Sequence, residues 1–144
     1  MSWSVVTAPS DAAPPNPLTM RVQAISPRHQ FPDHAHDWHQ LVYAVQGVLT
    51  VSTAEQTFII SPEQAAWIPI GVTHRVGSLL GAQFHSLWIS KSFGANLPDS
   101  PAVISVTPLL KALIVEAASL ETNSDPDGYR DRVVTLIMDQ LRRA

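Results

Sequence analysis

The sequence predicts a single, mainly β domain, in which a small antiparallel barrel over residues 20–106 precedes two α-helices over residues 107–144. Short apolar or alternating runs separated by turn residues fill residues 20–90, a spacing typical of barrels and sandwiches. After Thr107 the apolar residues instead recur every three or four positions, which indicates helix. The 144 residues, 45% of them apolar, suffice for one core but are too few for two ordinary domains.

Residues 1–19 are predicted to form a flexible, proline-rich arm. Four prolines stand among Ala, Ser, Asp and Asn between Thr7 and Pro17. Such a mixture buries too little side chain to offset the entropy that ordering would cost.

The barrel is predicted to contain eight strands, because β-branched and aromatic residues that suit a pleated, half-buried surface dominate these runs. The predicted strands cover residues 20–25, 40–46, 48–52, 56–60, 65–68, 74–78, 83–90 and 103–106. Glycines and prolines mark the corners between them.

Two helices are predicted after the barrel. Thr107 is expected to be the N-cap of the first, with Pro108 at the first helical position, where its missing N–H costs nothing. By the same logic the second helix is expected to begin at Asp125 and Pro126. Its apolar stripe comprises Tyr129, Val133 or Val134, Ile137, Met138 and Leu141.

Two consecutive amphipathic helices need a surface that buries both apolar stripes. They can pair with a second copy, or they can pack on the barrel of their own chain, and periodicity alone does not separate these interpretations. The residues expected at a homodimer interface are Leu110, Leu113, Ile114, Ile137 and Leu141. The last residues carry no glycine or proline stop signal, so we expect the helix to be interrupted there.

Composition excludes several classes of function. The formal net charge is -3 and the basic residues are scattered, so this stretch alone offers no stripe for a run of phosphates. The chain has no cysteine, which excludes disulfides and thiolate zinc sites. Neither a signal peptide nor an apolar run of membrane-spanning length is present, so we expect a cytoplasmic protein and no membrane partner.

The densest chemical signal is a cluster of three imidazoles and one amide between His34 and Gln40. On an extended backbone the side chains of His34, His36 and Gln40 share a face, because successive residues alternate. His74 follows a turn that contains Pro69 and Gly71, which can swing the next strand back across this segment. The pattern therefore predicts a site of three nitrogens and one oxygen.

Such a donor set suits a divalent transition metal, such as zinc, nickel or iron. Gln40 offers only a neutral oxygen, so affinity is expected to be weaker than with Glu, and the uncompensated charge favours an acidic ligand. The alternative is that these histidines are half-exposed turn residues making local hydrogen bonds. That alternative is the interpretation adopted for His29, His39 and His85.

Four aromatic residues lie in or beside predicted strands and could line a ligand pocket, although such residues are more often plain core. They are Trp38, Tyr43, Trp67 and Trp88.

Two segments resemble the two motifs of the cupin superfamily. The first motif is matched by His34, His36, Gln40 and Gly47, and the second by Pro69, Gly71 and His74. More narrowly, residues 39–43, residues 67–74 and the two trailing helices look like the N-terminal ligand-binding domain of AraC-type transcriptional regulators. This resemblance covers the chain from about Val22 onward.

The resemblance implies a cupin-type double-stranded β-helix, or jelly-roll barrel, that senses a small-molecule effector. It also implies dimerisation through the helices, and a separate helix-turn-helix domain, absent from this chain, that binds DNA. Gln40 stands where many metal-dependent cupins have Glu, which weakens the case for an enzyme. Ser78 stands where the second motif often has Asn, a structural position that casts little doubt on the fold.

The leading hypothesis is therefore a regulatory sensor and not an enzyme, in which effector or metal binding in the barrel shifts the helices. The alternative is a stand-alone metal-dependent cupin enzyme, a dioxygenase or isomerase, for which His39 or Glu55 would have to serve as general base. A third hypothesis is a dimerisation module with an empty pocket.

Overall fold

The computed structural model describes residues 3–5, 15, 17–120, 125 and 127–144. Within these residues ten strands and two helices follow one another along the chain. They are β1 (Ser4–Val5), β2 (Leu18–Ile25), β3 (His29–Gln30), β4 (His39–Gly47), β5 (Leu49–Thr53), β6 (Thr57–Ile60), β7 (Gln64–Ile68), β8 (His74–Ser78), β9 (Ala82–Ile89), β10 (Ala102–Ser105), α1 (Pro108–Ser119) and α2 (Tyr129–Arg143). The mainly β architecture with two C-terminal helices is as predicted.

The strands form two five-stranded sheets that face each other. Sheet I has the order β1-β3-β8-β5-β6, and sheet II has the order β10-β7-β4-β9-β2. Only the short β1–β3 pair is parallel among the described strand pairs. One apolar cluster draws Val51 and Val76 from sheet I and Val42, Ala66 and Phe84 from sheet II. This cluster fills the space between the sheets and closes the barrel.

Sheet II is covered on both faces, and alternation sorts its residues between them. Val42 and Ala44 of β4 face the barrel interior, whereas Leu41 and Tyr43 join a second apolar cluster on the opposite face. The same alternation places Trp67 of β7 on that second face. Helices α1 and α2 cover this outer face and complete the second cluster.

Helix α1 begins as predicted, because the hydroxyl of Thr107 accepts a hydrogen bond from the Leu110 N–H at 3.2 Å. The second helix, α2, begins three residues later than predicted. The helix begins at Tyr129 after Gly128, which has a φ of 74°. Asp125 still serves the helix start, because its carboxylate accepts from the N–H groups of Arg130 and Asp131. Pro126 lies outside the described residues.

The residues predicted for a dimer interface are instead part of the chain's own core. Leu110, Ile114, Ile137 and Leu141 are at most 6% exposed, and Leu113 packs against the same cluster. The outer face of sheet II covers both helical stripes, so within one chain the helices pack on the barrel, and dimerisation stays a prediction. The larger apolar side chains left exposed on the helices are Leu109, Val115, Tyr129 and Leu136.

The boundary of the N-terminal arm also differs from the prediction. Strand β2 begins at Leu18, which is 3% exposed and belongs to the helix-side core. Ser4 and Val5 pair with β3, and both of these two-residue strands are too short to show alternation in a sequence. Most of the predicted arm, residues 1–2, 6–14 and 16, lies outside the described residues. Neither helix in the described ranges combines the length and the apolar character that crossing a bilayer requires.

Candidate metal centre

Three imidazoles meet at one end of the barrel interior. His34 and His74 form an isolated antiparallel bridge, so their rings lie side by side with centroids 4.2 Å apart. His36, two residues further on, brings its ring within 4.7 Å of His34 and 5.6 Å of His74. One ring nitrogen from each of the three lies within 4.8 Å of the other two. The predicted convergence of these side chains is present in the structure, and metal binding stays a prediction.

Local hydrogen bonds orient two of these rings. His34 Nδ1 lies 2.8 Å from the Pro32 carbonyl oxygen, and His74 Nδ1 lies 2.9 Å from that of Val72. A carbonyl oxygen only accepts, so each Nδ1 carries the hydrogen and donates it. In a neutral ring this leaves a lone pair on Nε2, which is how second-sphere hydrogen bonds prepare histidine ligands for a metal.

Gln40 lies beside His74, as predicted, although the backbone bends at residues 37 and 38 between His36 and Gln40. Its side-chain oxygen Oε1 is 3.0 Å from His74 Nε2, and its amide nitrogen donates to the Ser86 hydroxyl at 3.3 Å. Because His74 Nε2 and Gln40 Oε1 are both acceptors, this approach is repulsive unless a cation binds both. Without a cation, rotation of the amide would let its nitrogen donate to His74.

Burial favours the neutral form of two of the imidazoles, those of His36 and His74. Removal from water, together with the neighbouring His34, lowers the pKa of His36 from 6.5 to about 4. Burial likewise lowers the pKa of His74 to about 4, against the opposing effect of its hydrogen bond to the Val72 carbonyl. Neutral imidazole is the form that binds metals, so neither ring must lose a proton at neutral pH. The Nε2 atom of His36 is buried and has no hydrogen-bond partner among the described residues.

Tryptophan side chains surround the cluster on one side. The ring of Trp38 stacks on His36 with centroids 4.7 Å apart and an interplanar angle of 10°. The ring centroid of Trp88 lies 5.0 Å from that of Trp38 and 5.5 Å from that of His36. The guanidinium carbon of Arg21 lies 5.0 Å from the Trp88 ring centroid. Two of the four aromatic residues predicted to line a pocket therefore lie at the cluster, and Arg21 joins them unpredicted.

The other two predicted pocket residues, Tyr43 and Trp67, are not part of this site. Both project from the helix side of sheet II and are buried there. Trp67 donates its Nε1 hydrogen to the Pro98 carbonyl and lines a separate cavity of about 550 Å³ near the end of α2. Tyr43 lies three positions from Gln40 on β4, and Trp67 lies one position from Ile68 on β7. An odd spacing places side chains on opposite faces of a strand, so alternation could have excluded both residues from the site.

The remaining histidines lie outside the cluster. His39 stacks on Trp67 with centroids 5.1 Å apart, and its Nδ1 accepts the Ile70 N–H. His85 lies edge-on to Tyr43, and His29 makes a local hydrogen bond to the Pro27 carbonyl. None of the three is among the described residues that converge on one point.

Comparison with known proteins places this geometry in context. The family model for the AraC-like ligand binding domain matches residues 16–128. The HTH-type transcriptional regulator NimR of Escherichia coli is 27% identical over 110 residues, a match that covers 76% of this chain and 40% of NimR. The chain thus spans less than half the length of this relative.

Solved structures share the fold at low sequence identity. Apo ToxT of Vibrio cholerae superposes with a TM-score of 0.67 and 10% identity, covering 90% of this chain and 55% of ToxT. A cupin superfamily protein of Desulfitobacterium hafniense gives a TM-score of 0.51 and 11% identity, covering 60% of this chain and 84% of that protein. The ToxT match extends beyond the barrel, since it covers almost the whole chain.

Proposed function

Because the chain belongs to the family of AraC-like ligand binding domains, we propose that it is the effector-sensing domain of a cytoplasmic AraC-type transcriptional regulator. The observation that carries this proposal is the convergence of His34, His36 and His74 inside a barrel whose outer face is covered by the two helices. A binding site on one face of sheet II and a movable helical layer on the other are the parts that a sensor needs.

The donor set fits a divalent transition metal, with zinc, nickel and iron as the candidates. Support comes from the convergence of the three imidazoles, from the buried His36 Nε2, which lacks a hydrogen-bond partner among the described residues, and from the approach of Gln40 Oε1 to His74 Nε2. A bound cation would supply a positive point charge that polarises and anchors ligand oxygens. All four protein donors are neutral, so the cation would keep its full charge toward a ligand.

DNA binding and dimerisation complete the proposal. DNA contacts would lie in a helix-turn-helix domain outside this chain, in keeping with the 40% of NimR that the chain covers. A homodimer would use the exposed apolar side chains of α1, Leu109 and Val115, together with Leu136 of α2. These replace the buried residues that the helical periodicity singled out.

The enzyme alternative lacks support from the side chains considered as its base. His39 stacks on Trp67, on the helix side of sheet II, and Glu55 is exposed in the turn between β5 and β6. The relative identified by sequence is a transcriptional regulator, which also favours the sensor.

Metal content of untagged protein tests the site. We expect close to one equivalent of metal in the wild type and little in His34→Ala or His74→Ala. His29→Ala is the matched control, because His29 makes the same type of hydrogen bond to a carbonyl two residues earlier but lies outside the cluster. A panel of small metabolites should then raise the melting temperature without being consumed, since a ligand that binds only the folded state stabilises it. Wild type with no metal and no stabilising ligand, or turnover of a panel member, contradicts the proposal.

A further inference from the structure

Two indole N–H groups beside the histidine cluster have no acceptor. Trp38 Nε1 and Trp88 Nε1 are both buried and make no hydrogen bond to any described residue. An indole nitrogen can only donate, so each of these groups needs an oxygen or nitrogen acceptor that the described residues do not supply. Buried polar groups are rarely left unpaired, so two buried donors in neighbouring rings make this part of the barrel a candidate binding site for an acceptor.

A cation that forms no ion pair with a described residue lies in the same place. Arg21 projects from β2 on the face of sheet II that also bears Trp88, and its guanidinium packs against that ring. The ion pairs among the described residues are Arg75 with Asp33 and Arg142 with Asp139, so Arg21 is in neither. No described carboxylate neutralises the half-buried guanidinium, so its positive charge is available to a ligand that enters the site. Guanidinium groups match carboxylates in a two-point geometry, which makes a carboxylate its natural partner.

The candidate site is lined by aromatic rings, which favours a flat, unsaturated ligand. His36 and Trp38 are stacked nearly parallel, and Trp88 is tilted by 37° to Trp38. Trp38 lies in the segment between β3 and β4, whereas Trp88 is fixed within β9. A ligand would reach the covered indole nitrogens only if the Trp38 ring turned away from His36, and an unsaturated ring would then take its stacking position.

We propose that the effector is a small organic acid with a flat, unsaturated body, whose carboxylate is held by Arg21 and the two indole N–H groups of Trp38 and Trp88. This inference rests on the proposed sensor function and names the ligand class for it. A cation at the histidine cluster would strengthen the attraction for the same carboxylate, and the three donors act whether or not the cation is bound.

Binding of matched pairs of acids and amides tests the ligand class. The probes are benzoate, salicylate, nicotinate and cinnamate, each paired with its neutral amide, and the readouts are calorimetry and tryptophan fluorescence up to 10 mM probe. At least one acid is expected to bind tenfold or more tightly than its amide, with a change in emission as Trp38 moves. Amides that bind as well as the acids, or eight probes that all fail to bind, overturn the proposal. Metal uptake and stabilisation by neutral metabolites would still stand in that case, so the sensor function is judged separately.

Three variants test the side chains named. Arg21→Gln should lose at least tenfold in acid affinity while amide affinity stays within twofold. Trp88→Phe keeps a ring but removes one N–H, and should lose several-fold for acids only. Arg75→Gln is the charge-matched control, because Arg75 is exposed beside Asp33, and its acid affinity should change less than twofold. All proteins are compared metal-free and zinc-loaded, with near-ultraviolet circular dichroism as the check on folding. Acid preference that survives Arg21→Gln, or that needs zinc and ignores Arg21, contradicts the assignment.

Discussion

His34 and His74 lie directly opposite each other, and each residue's N–H donates to the other's carbonyl oxygen, at 3.0 and 2.9 Å. The backbone therefore fixes the distance between these two imidazoles before any ligand arrives. Both rings are further held by hydrogen bonds to carbonyls of their own turns. A site built in this way loses little side-chain freedom on binding, which favours affinity.

Replacement of Gln40 by Glu should strengthen zinc binding and lower the stability of the metal-free protein. A carboxylate would cancel part of the cation's charge, so Gln40→Glu is expected to bind zinc at least tenfold more tightly in chelator competition. In metal-free protein the same change places a charge at a position only 5% exposed, and should lower the free energy of unfolding. Gln83→Glu, at an exposed position of β9, is the control and should change neither quantity. A Glu variant with unchanged zinc affinity would show that residue 40 is not a ligand.

Acid should destabilise the metal-free protein. The pKa of His74 is about 4 in the folded chain and 6.5 when exposed, so between these values the unfolded chain binds more protons. Stability should therefore fall as the pH drops from about 6.5 to about 4, and this residue should contribute no pH dependence above about 7. The loss from His74 alone is on the order of 3 kcal/mol at the acid end. Urea unfolding in chelator at several pH values measures the slope, which His74→Gln should reduce.

Two glycines with the same backbone conformation should respond differently to alanine. Gly47 has a φ of 82°, and a Cβ there would lie 2.3 Å from the Gly81 carbonyl oxygen, whereas Gly71 has a φ of 78° with open space around it. Gly71→Ala should cost only the strain of the left-handed conformation, about 1 kcal/mol. Gly47→Ala adds a backbone clash and should cost at least twice as much in thermal or urea unfolding. Equal losses would mean that the β4–β5 corner can open without penalty.

The helices should stabilise the single chain through their buried stripe. Ile114 is fully buried in the helix-side core, and Ile114→Ala should lower the free energy of unfolding by about 2–5 kcal/mol. Val115, the next residue, is 52% exposed, and Val115→Ala should stay within about 0.5 kcal/mol at low protein concentration. Sedimentation should show any change in mass with Val115→Ala, where a dimer contact is proposed. A larger loss of unfolding free energy in Val115→Ala than in Ile114→Ala would contradict this assignment and favour the buried stripe as the dimer interface.

Alternation along strands made most of the candidate site predictable. The shared face of His34 and His36 follows from an extended backbone, and the turn before His74 brings the third ring to them. Residues 37 and 38 bend between His36 and Gln40, so alternation alone does not account for the position of Gln40. The same rule, applied to Tyr43, places it on the opposite face, so its assignment to the pocket was avoidable. Arg21 is different, because an arginine in an alternating strand is ordinarily solvated, and only the closure of the barrel turns its side inward.

The helical layer shows where periodicity stops being informative. A stripe at three and four residues identifies which side of α1 and α2 is apolar, and the structure agrees with that side. It does not identify what covers the stripe, because a sheet of the same chain and a second copy bury apolar surface equally well. The late start of α2 was also not evident from the sequence pattern. Asp125 accepts hydrogen bonds from the helix without being adjacent to its first residue.

Strand β4 carries both the donor Gln40 and, one peptide bond away, the helix-side residue Leu41. Strand β4 thus separates the barrel interior from the helix-side core by the thickness of one strand. A displacement of its inner surface is also a displacement of its outer surface. A displacement of the Gln40 side chain toward the barrel interior would therefore also shift Leu41 relative to the helices. Transmission of an inner event to the helices would require no relay of side chains and no hinge, only the rigidity of a single hydrogen-bonded strand.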